Sequence, residues 1–210
     1  MGYNKPMLYT PRNRPRGWHS RGYLPHFDGP GRCQFITYRL ADSLPRQVLD
    51  RLTSEAAQEP EANRQRSLWL AIDRYLDAGH GEAFLTDPVC AQVVIDTWRH
   101  FDGERYELLA WVVMPNHVHV VVHPYPDSCL AGIINGWKTF SARRINEQLG
   151  RRGSCWMLDY WDRYVRDEEH LQRVIAYVEH NPVTAGLCEK AEEWPWSSAA
   201  CDLVGRAPSR

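Results

Sequence analysis

Two groups of residues in this chain have the types and spacing to do chemistry together. Residues 111–123 read WVVMPNHVHVVVH. A strand sends successive side chains to opposite faces, so His117, His119, Val121 and His123 share one face while Val118, Val120 and Val122 share the other. Two imidazoles two apart on a strand can converge on one divalent cation through their ring nitrogens. The bland alternative, a pair of half-exposed strand residues, fits an isolated His-x-His better than the metal reading does. His123, at the strand end beside Pro124, reads as structural or solvent-facing.

The second group lies on a helix that starts after Asp167, a good cap, with Glu168 and Glu169 in its first turn where the helix dipole favours negative charge. Leu171, Val174, Ile175 and Val178 form its apolar stripe, and Tyr177 and Asn181 fall one turn apart at an edge of it. A hydroxyl and an amide therefore sit where the helix meets whatever it covers. A tyrosine there is commonly a packing residue with its hydroxyl wet, and Asn181 before Pro182 also reads as a helix C-terminal residue. Tyr125, Tyr160 and Tyr164 are rival nucleophiles; Tyr164 precedes the helix and lacks a polar partner one turn on.

The elements that position these groups follow from periodicity. Residues 108–114 are an apolar strand, and Pro115-Asn116 has the chemistry of a turn, so the histidines open the second strand of a hairpin. Upstream, 33–40 alternates and is rich in aromatic and β-branched residues, giving a first strand. Helices are expected over 45–58 (Val48, Leu49, Leu52 apolar), over 61–77 (Leu68, Leu70, Ile72, Leu76) and over 87–100 (Val89, Val93, Val94, Trp98). A further helix over 130–149 carries Ile133, Ile134, Trp137, Phe140 and Ile145, and 155–165 reads as a last extended segment.

At 210 residues, 43% hydrophobic and 24% charged, the chain is long enough for one domain with its own core plus appendages. It has no apolar run of membrane-spanning length and no signal-like segment, so a cytoplasmic location away from the membrane is expected. Six scattered cysteines with no Cys-x-x-Cys pair argue against a zinc site or a disulfide framework. The net charge of −1 does not advertise a nucleic-acid binder, but the distribution does more. Residues 1–30, rich in Pro, Gly and Arg, read as an irregular basic arm before a domain spanning 31–205, and a second basic stretch runs from Trp137 to Arg152. Basic segments interleaved with aromatics suit a phosphate backbone with stacked bases; a solvated charged face is the alternative.

The motifs MPNHVHVVV, WKTFSARRIN, YWDRYVRDEEHL, YVEHNPVTAGL and WPWSSA occur in that order across about residues 31–200. Together they resemble the REP-associated tyrosine transposases, relatives of the single-strand insertion-sequence transposases in the HUH endonuclease superfamily. The resemblance implies an α+β fold with a ferredoxin-like core, an antiparallel sheet packed by helices and the histidines on a central strand. It implies His117, His119 and Asn181 as ligands of a divalent metal, Mg2+ or Mn2+, and Tyr177 as the nucleophile that forms a 5'-phosphotyrosine. The implied activity is nicking and joining of single-stranded DNA at hairpins of repeated extragenic palindromes, by a monomer with no small-molecule cofactor. Lys138, Arg143, Arg144, Arg163 and Arg166 are the candidate DNA contacts. Two other classes stay open: a domesticated nucleic-acid-binding protein of the same fold without turnover, and an unrelated metal hydrolase using water, which would form no covalent adduct.

Overall fold

The structure is a computed structural model that describes residues 17–20, 25–28 and 31–201, with side chains from 31 to 200. A four-stranded sheet organises it: β3 (Gln34–Arg39), β4 (Tyr106–Val113), β5 (His117–Pro124) and β6 (Trp161–Tyr164), in the order β4-β5-β3-β6. All neighbouring pairs are antiparallel. Helices α1 (Arg46–Ala56), α2 (Glu61–Asp77) and α3 (Pro88–Arg99) connect β3 to β4, and α4 (Leu130–Gln148) connects β5 to β6. Two crossovers around a central hairpin make this a ferredoxin-like α+β sheet. Two more helices, α5 (Glu168–Thr184) and α6 (Ser198–Cys201), follow.

The helix starts obey local chemistry. Asp87 accepts a hydrogen bond from the Val89 amide at 2.8 Å ahead of Pro88, and Asp167 accepts one from the His170 amide at 2.7 Å. Each satisfies an amide that a helix end otherwise leaves without a partner.

The two faces of the sheet bury different partners. On one, Ile36, Tyr38, Val118, Val120 and Val122 pack with Val94 and Trp98 of α3 and Ile134, Trp137 and Ile145 of α4. On the other, Phe35, Ala110, Val112, Met114 and Val121 pack beneath Val174, Ile175, Tyr177 and Val178 of α5, with Trp69 of α2 against them. A register shift between Leu108 and Ala110 lets β4 serve both: Leu108 faces α3 and α4, yet Ala110 and Val112 face α5.

The outer edge of β4 is closed by the Trp-Pro-Trp-Ser-Ser segment. Trp194 Nε1 donates to the Val113 carbonyl at 2.9 Å, the Val113 amide donates to the Trp196 carbonyl at 2.8 Å, and Ser198 Oγ accepts from the Trp111 amide at 3.1 Å. Covering an edge removes a template for unwanted pairing.

Several expectations change. Gly17–Ser20 (β1) and Pro25–Asp28 (β2) pair antiparallel, so part of the arm expected to be irregular is a two-stranded ribbon. Residues 1–16 lie outside the described part. Within 155–165 only Trp161–Tyr164 is a strand; Trp156 meets Leu40 in a single bridge before the chain loops across to β6. Helix α5 runs through Pro182 to Thr184, since a proline so near the end forfeits one hydrogen bond at most. Leu70, Val89 and Phe140 are exposed instead of buried. Leu70 lies half a turn from the α2 face that meets α1, and Phe140 lines an open cleft between α3 and α4.

Candidate metal and nucleophile site

His117 and His119 stand on β5, flanked on both sides by other strands, and both are fully buried. Their side chains share the sheet face that α2 and α5 cover. Across the sheet, Val112, His119, Thr37 and Trp161 form one cross-strand row, and Arg39 pairs opposite His117. Each imidazole is held from behind at Nδ1, His117 by Asn116 Oδ1 at 2.8 Å and His119 by Thr37 Oγ1 at 2.7 Å. The two Nε2 atoms then face each other at 3.2 Å.

Helix α2 completes the cluster with two carboxylates that sequence reasoning missed. Asp73 Oδ1 lies 3.5 Å from His119 Nε2, and Asp77 Oδ1 lies 3.6 Å from His117 Nε2. Asp73 and the two histidines each bring one ligand atom within 4.8 Å of the others. Residues four apart share a helix face, so Trp69, Asp73 and Asp77 form one stripe turned to the sheet. That spacing was visible in the sequence, but acids four apart on a helix usually face solvent.

Tyr177 descends from α5 onto the same cluster. Its hydroxyl donates to Asp73 Oδ2 at 2.5 Å, and its ring lies edge-on to Phe35 at 5.8 Å and tilted against Trp69 at 5.5 Å. Phe35 also stacks on His119 at 5.5 Å, so one apolar ring orients both functional side chains. One turn on, buried Asn181 donates from Nδ2 to the Tyr177 oxygen at 3.4 Å, a long contact. Among the rivals, Tyr160 is buried in the core cluster that α3 and α4 cover.

The electrostatics mark a site short of positive charge. Burial pushes both imidazoles down to about 3, so they are neutral at physiological pH and their lone pairs are available. Burial, then the charge of Asp73, pushes the Asp77 carboxyl up to about 7. Burial also raises Asp73, although the Tyr177 hydroxyl and His117 oppose the rise. Burial followed by the charge of Asp73 holds the Tyr177 phenol protonated. Asp73 Oδ1, Asp77 Oδ1 and Asn181 Oδ1 are buried and accept no hydrogen bond. Oxygen and imidazole acceptors crowded without matching donors are what a divalent cation satisfies, so this donor set fits one.

The basic candidates divide between the two layers. Arg163 pairs opposite Phe35 in register and so shares the histidine face, and exposed Arg166 lies just past β6. Exposed Arg143 and Arg144 ride on α4, the layer behind the sheet, with Arg144 3.7 Å from Glu147. Lys138 is turned inward: its ammonium donates to the carbonyls of Met157, Leu158 and Asp159, which tie down the loop before β6. An ammonium with three donors and three carbonyls has none left for a phosphate.

Residues 89–181 match the family described as Transposase IS200 like. The match includes both histidines, Tyr177 and Asn181, and leaves Asp73 and Asp77 outside it. Over 108 residues the chain is 29% identical to a protein of Haemophilus influenzae named "Putative REP-associated tyrosine transposase", covering 47% of this chain and 61% of that relative. A solved REP-associated tyrosine transposase, bound to a REP hairpin, superposes with a TM-score of 0.54 at 17% identity, covering 91% of this chain and 94% of that one. At that identity the likeness speaks for the fold. None of the described helices is long and apolar enough to cross a membrane. Over residues 89–181 the chain is similar to the IS200-like transposases, and in sequence and fold it is similar to REP-associated tyrosine transposases.

Proposed function

We propose that the chain nicks and rejoins single-stranded DNA by metal-dependent tyrosine transesterification, acting on hairpins of repeated extragenic palindromes. The observation that carries this reading is Asp73. One of its oxygens accepts the Tyr177 hydroxyl and the other faces the histidine pair, so the candidate nucleophile and the cation donors share one carboxylate.

His117, His119 and Asp73 would hold the cation, with Asp77 and the amide oxygen of Asn181 as further donors. A divalent cation there supplies neutralising charge and orientation for a non-bridging phosphate oxygen. Mixed imidazole and carboxylate donors accept Mg2+ and suit Mn2+ better. Tyr177 Oη attacks phosphorus in line, a phosphotyrosine bond forms, and the bond to the 3' oxygen breaks. Asp73 Oδ2 already accepts the phenolic hydrogen and would take the proton, and the departing 3' oxygen takes one from solvent, so one phosphodiester replaces another. Phe35 and Trp69 hold the phenol against swinging away. Conserving the ester in a covalent intermediate permits rejoining, which attack by water would forfeit.

Arg163, on the histidine face, and Arg166, just past β6, would contact the incoming strand, and Arg143 and Arg144 would offer phosphate contacts on the opposite layer. Because Tyr177 and both histidines meet within one chain, a monomer suffices. The test is incubation of the purified protein with labelled hairpin DNA and Mn2+, read on a denaturing gel beside Tyr177→Phe and His119→Ala. A covalent adduct lost in both variants supports the proposal. Cleavage without an adduct that survives in Tyr177→Phe refutes it in favour of a water nucleophile.

A further inference from the structure

The atoms behind the histidines, rather than those in front, distinguish the two rings. Asn116 is fully buried in the turn between β4 and β5. Its Nδ2 donates to the backbone carbonyl of His80 at 2.7 Å, and its Oδ1 lies 2.8 Å from His117 Nδ1. A carbonyl only accepts, so the amide nitrogen must face His80 and the amide oxygen must face His117. That oxygen also only accepts. His117 Nδ1 therefore carries the ring hydrogen, and its Nε2 lone pair points into the cluster.

The surroundings of His119 leave its tautomer free. Its Nδ1 partner is the Thr37 hydroxyl, which either donates or accepts. With His117 Nε2 bare and 3.2 Å away, the pair is satisfied when His119 Nε2 carries the hydrogen and Thr37 donates to Nδ1. A cation held by both Nε2 atoms would require the His119 hydrogen on Nδ1, with the Thr37 hydroxyl accepting it. The first histidine is locked and the second is adjustable.

Asn116 also reaches the other half of the cluster. His80 lies in the loop just past α2, three residues after Asp77, and its ring stacks on Tyr75 at 4.2 Å. The bond from Asn116 thus pins the end of the helix that carries both carboxylates to the turn that starts the histidine strand. A turn asparagine needs neither bond, since its usual role is to hydrogen-bond its own neighbouring backbone.

We propose that Asn116 is a positioning residue with two tasks: its amide oxygen fixes the tautomer of His117, and its amide nitrogen holds the α2 carboxylates in register with the histidines. The inference rests on the cation-binding reading of the cluster.

The experiment uses the intact chain. Long-range 1H–15N correlation spectra in EDTA report the tautomers, and Mn2+ binding is followed by calorimetry with the metal alone. In the wild type, His117 is expected as the Nδ1–H form. Asn116→Ala mixes the His117 tautomers and weakens Mn2+ about 10- to 100-fold, the usual cost of losing an outer partner of a ligating histidine. Asn116→Asp, which still accepts from Nδ1–H but cannot donate to His80, restores the tautomer. If Asn116→Ala does not fold, the Asp variant and the wild-type spectrum still decide: His117 seen as the Nε2–H form in either overturns the proposal. Unchanged tautomer and unchanged Mn2+ affinity in Asn116→Ala overturn it too. No Mn2+ binding by the wild type sinks the cation reading itself, a separate failure.

Discussion

Replacing Asp73 with asparagine should stabilise the metal-free protein while abolishing its response to metal. In the wild type, burial and the neighbouring Asp73 raise the Asp77 carboxyl from 3.8 to about 7. A rise of about 3 in pKa corresponds to ~4 kcal/mol of unfavourable charging at 1.36 kcal/mol per pH unit. Burial is the larger cause and the Asp77 side chain keeps 14% of its surface. After discounting for solvent screening, the part due to Asp73 is about 1–2 kcal/mol. Asparagine is nearly isosteric and its oxygen can still accept from Tyr177. Without metal at pH 8 the variant should melt roughly 3–6 °C higher than the wild type.

The sign reverses nothing at low pH but removes the gain. A carboxyl whose pKa is raised by folding binds more protons in the native state, so wild-type stability falls as pH climbs from about 4 through 7. At pH 5 the carboxyl is protonated and the two proteins should melt within a degree or two of each other. Added Mn2+ at 100 times its dissociation constant stabilises the wild type by ~2.7 kcal/mol and should leave Asp73→Asn nearly unmoved. Thermal melts at pH 5 and pH 8, in EDTA and in Mn2+, read all four quantities. A variant that melts lower than the wild type in EDTA at pH 8, or that keeps the full Mn2+ response, refutes the reasoning.

Three other outcomes are expected. Tyr177→Phe should abolish adduct formation yet cost only about 1–2 kcal/mol of stability, the loss of the bond to Asp73 and the long contact from Asn181, measured by urea midpoint; a large unfolding effect would mean the hydroxyl is chiefly structural. Mn2+ binding should release close to one proton at pH 6 and almost none at pH 9, because Asp77 with a pKa of about 7 must ionise to face the cation; calorimetry in buffers of different ionisation heat counts the protons, and a count independent of pH contradicts the assignment. Gly81 has φ +92°, and a Cβ there would sit 2.9 Å from Asp42 Oδ2 and 3.1 Å from the Ser43 Cα. Gly81→Ala should therefore lose about 1–3 kcal/mol, and an unchanged midpoint in urea would show that the loop before Phe84 readjusts freely.

Much of the architecture was legible because its signals are local. The alternation of His117, Val118, His119 and Val120 specified a strand with one apolar and one imidazole face, and the structure has both. The cap at Asp167 and the stripe Leu171, Val174, Ile175 and Val178 specified the helix that packs Tyr177 over that face. The order of motifs carried the resemblance to the REP-associated tyrosine transposases. Non-local packing decided what local signals do not carry: the β-bulge in β4 sends Ala110 and Val112 to the face opposite Leu108, and Lys138 turns inward because the loop at 157–159 presents three carbonyls to it.

The sequence by itself determined which strand carries the histidines and which helix carries the tyrosine, since residue spacing against a period of 2 or 3.6 sets which side chains share a face. Only the tertiary structure decided what those faces meet. Asp73 and Asp77 are separated from the histidines by about forty residues of chain, and on their own helix they look like ordinary solvent-facing acids. Packing α2 against the histidine face buries them beside two neutral imidazoles and the phenol, and burial, which no sequence period encodes, turns these acids into a candidate cation site.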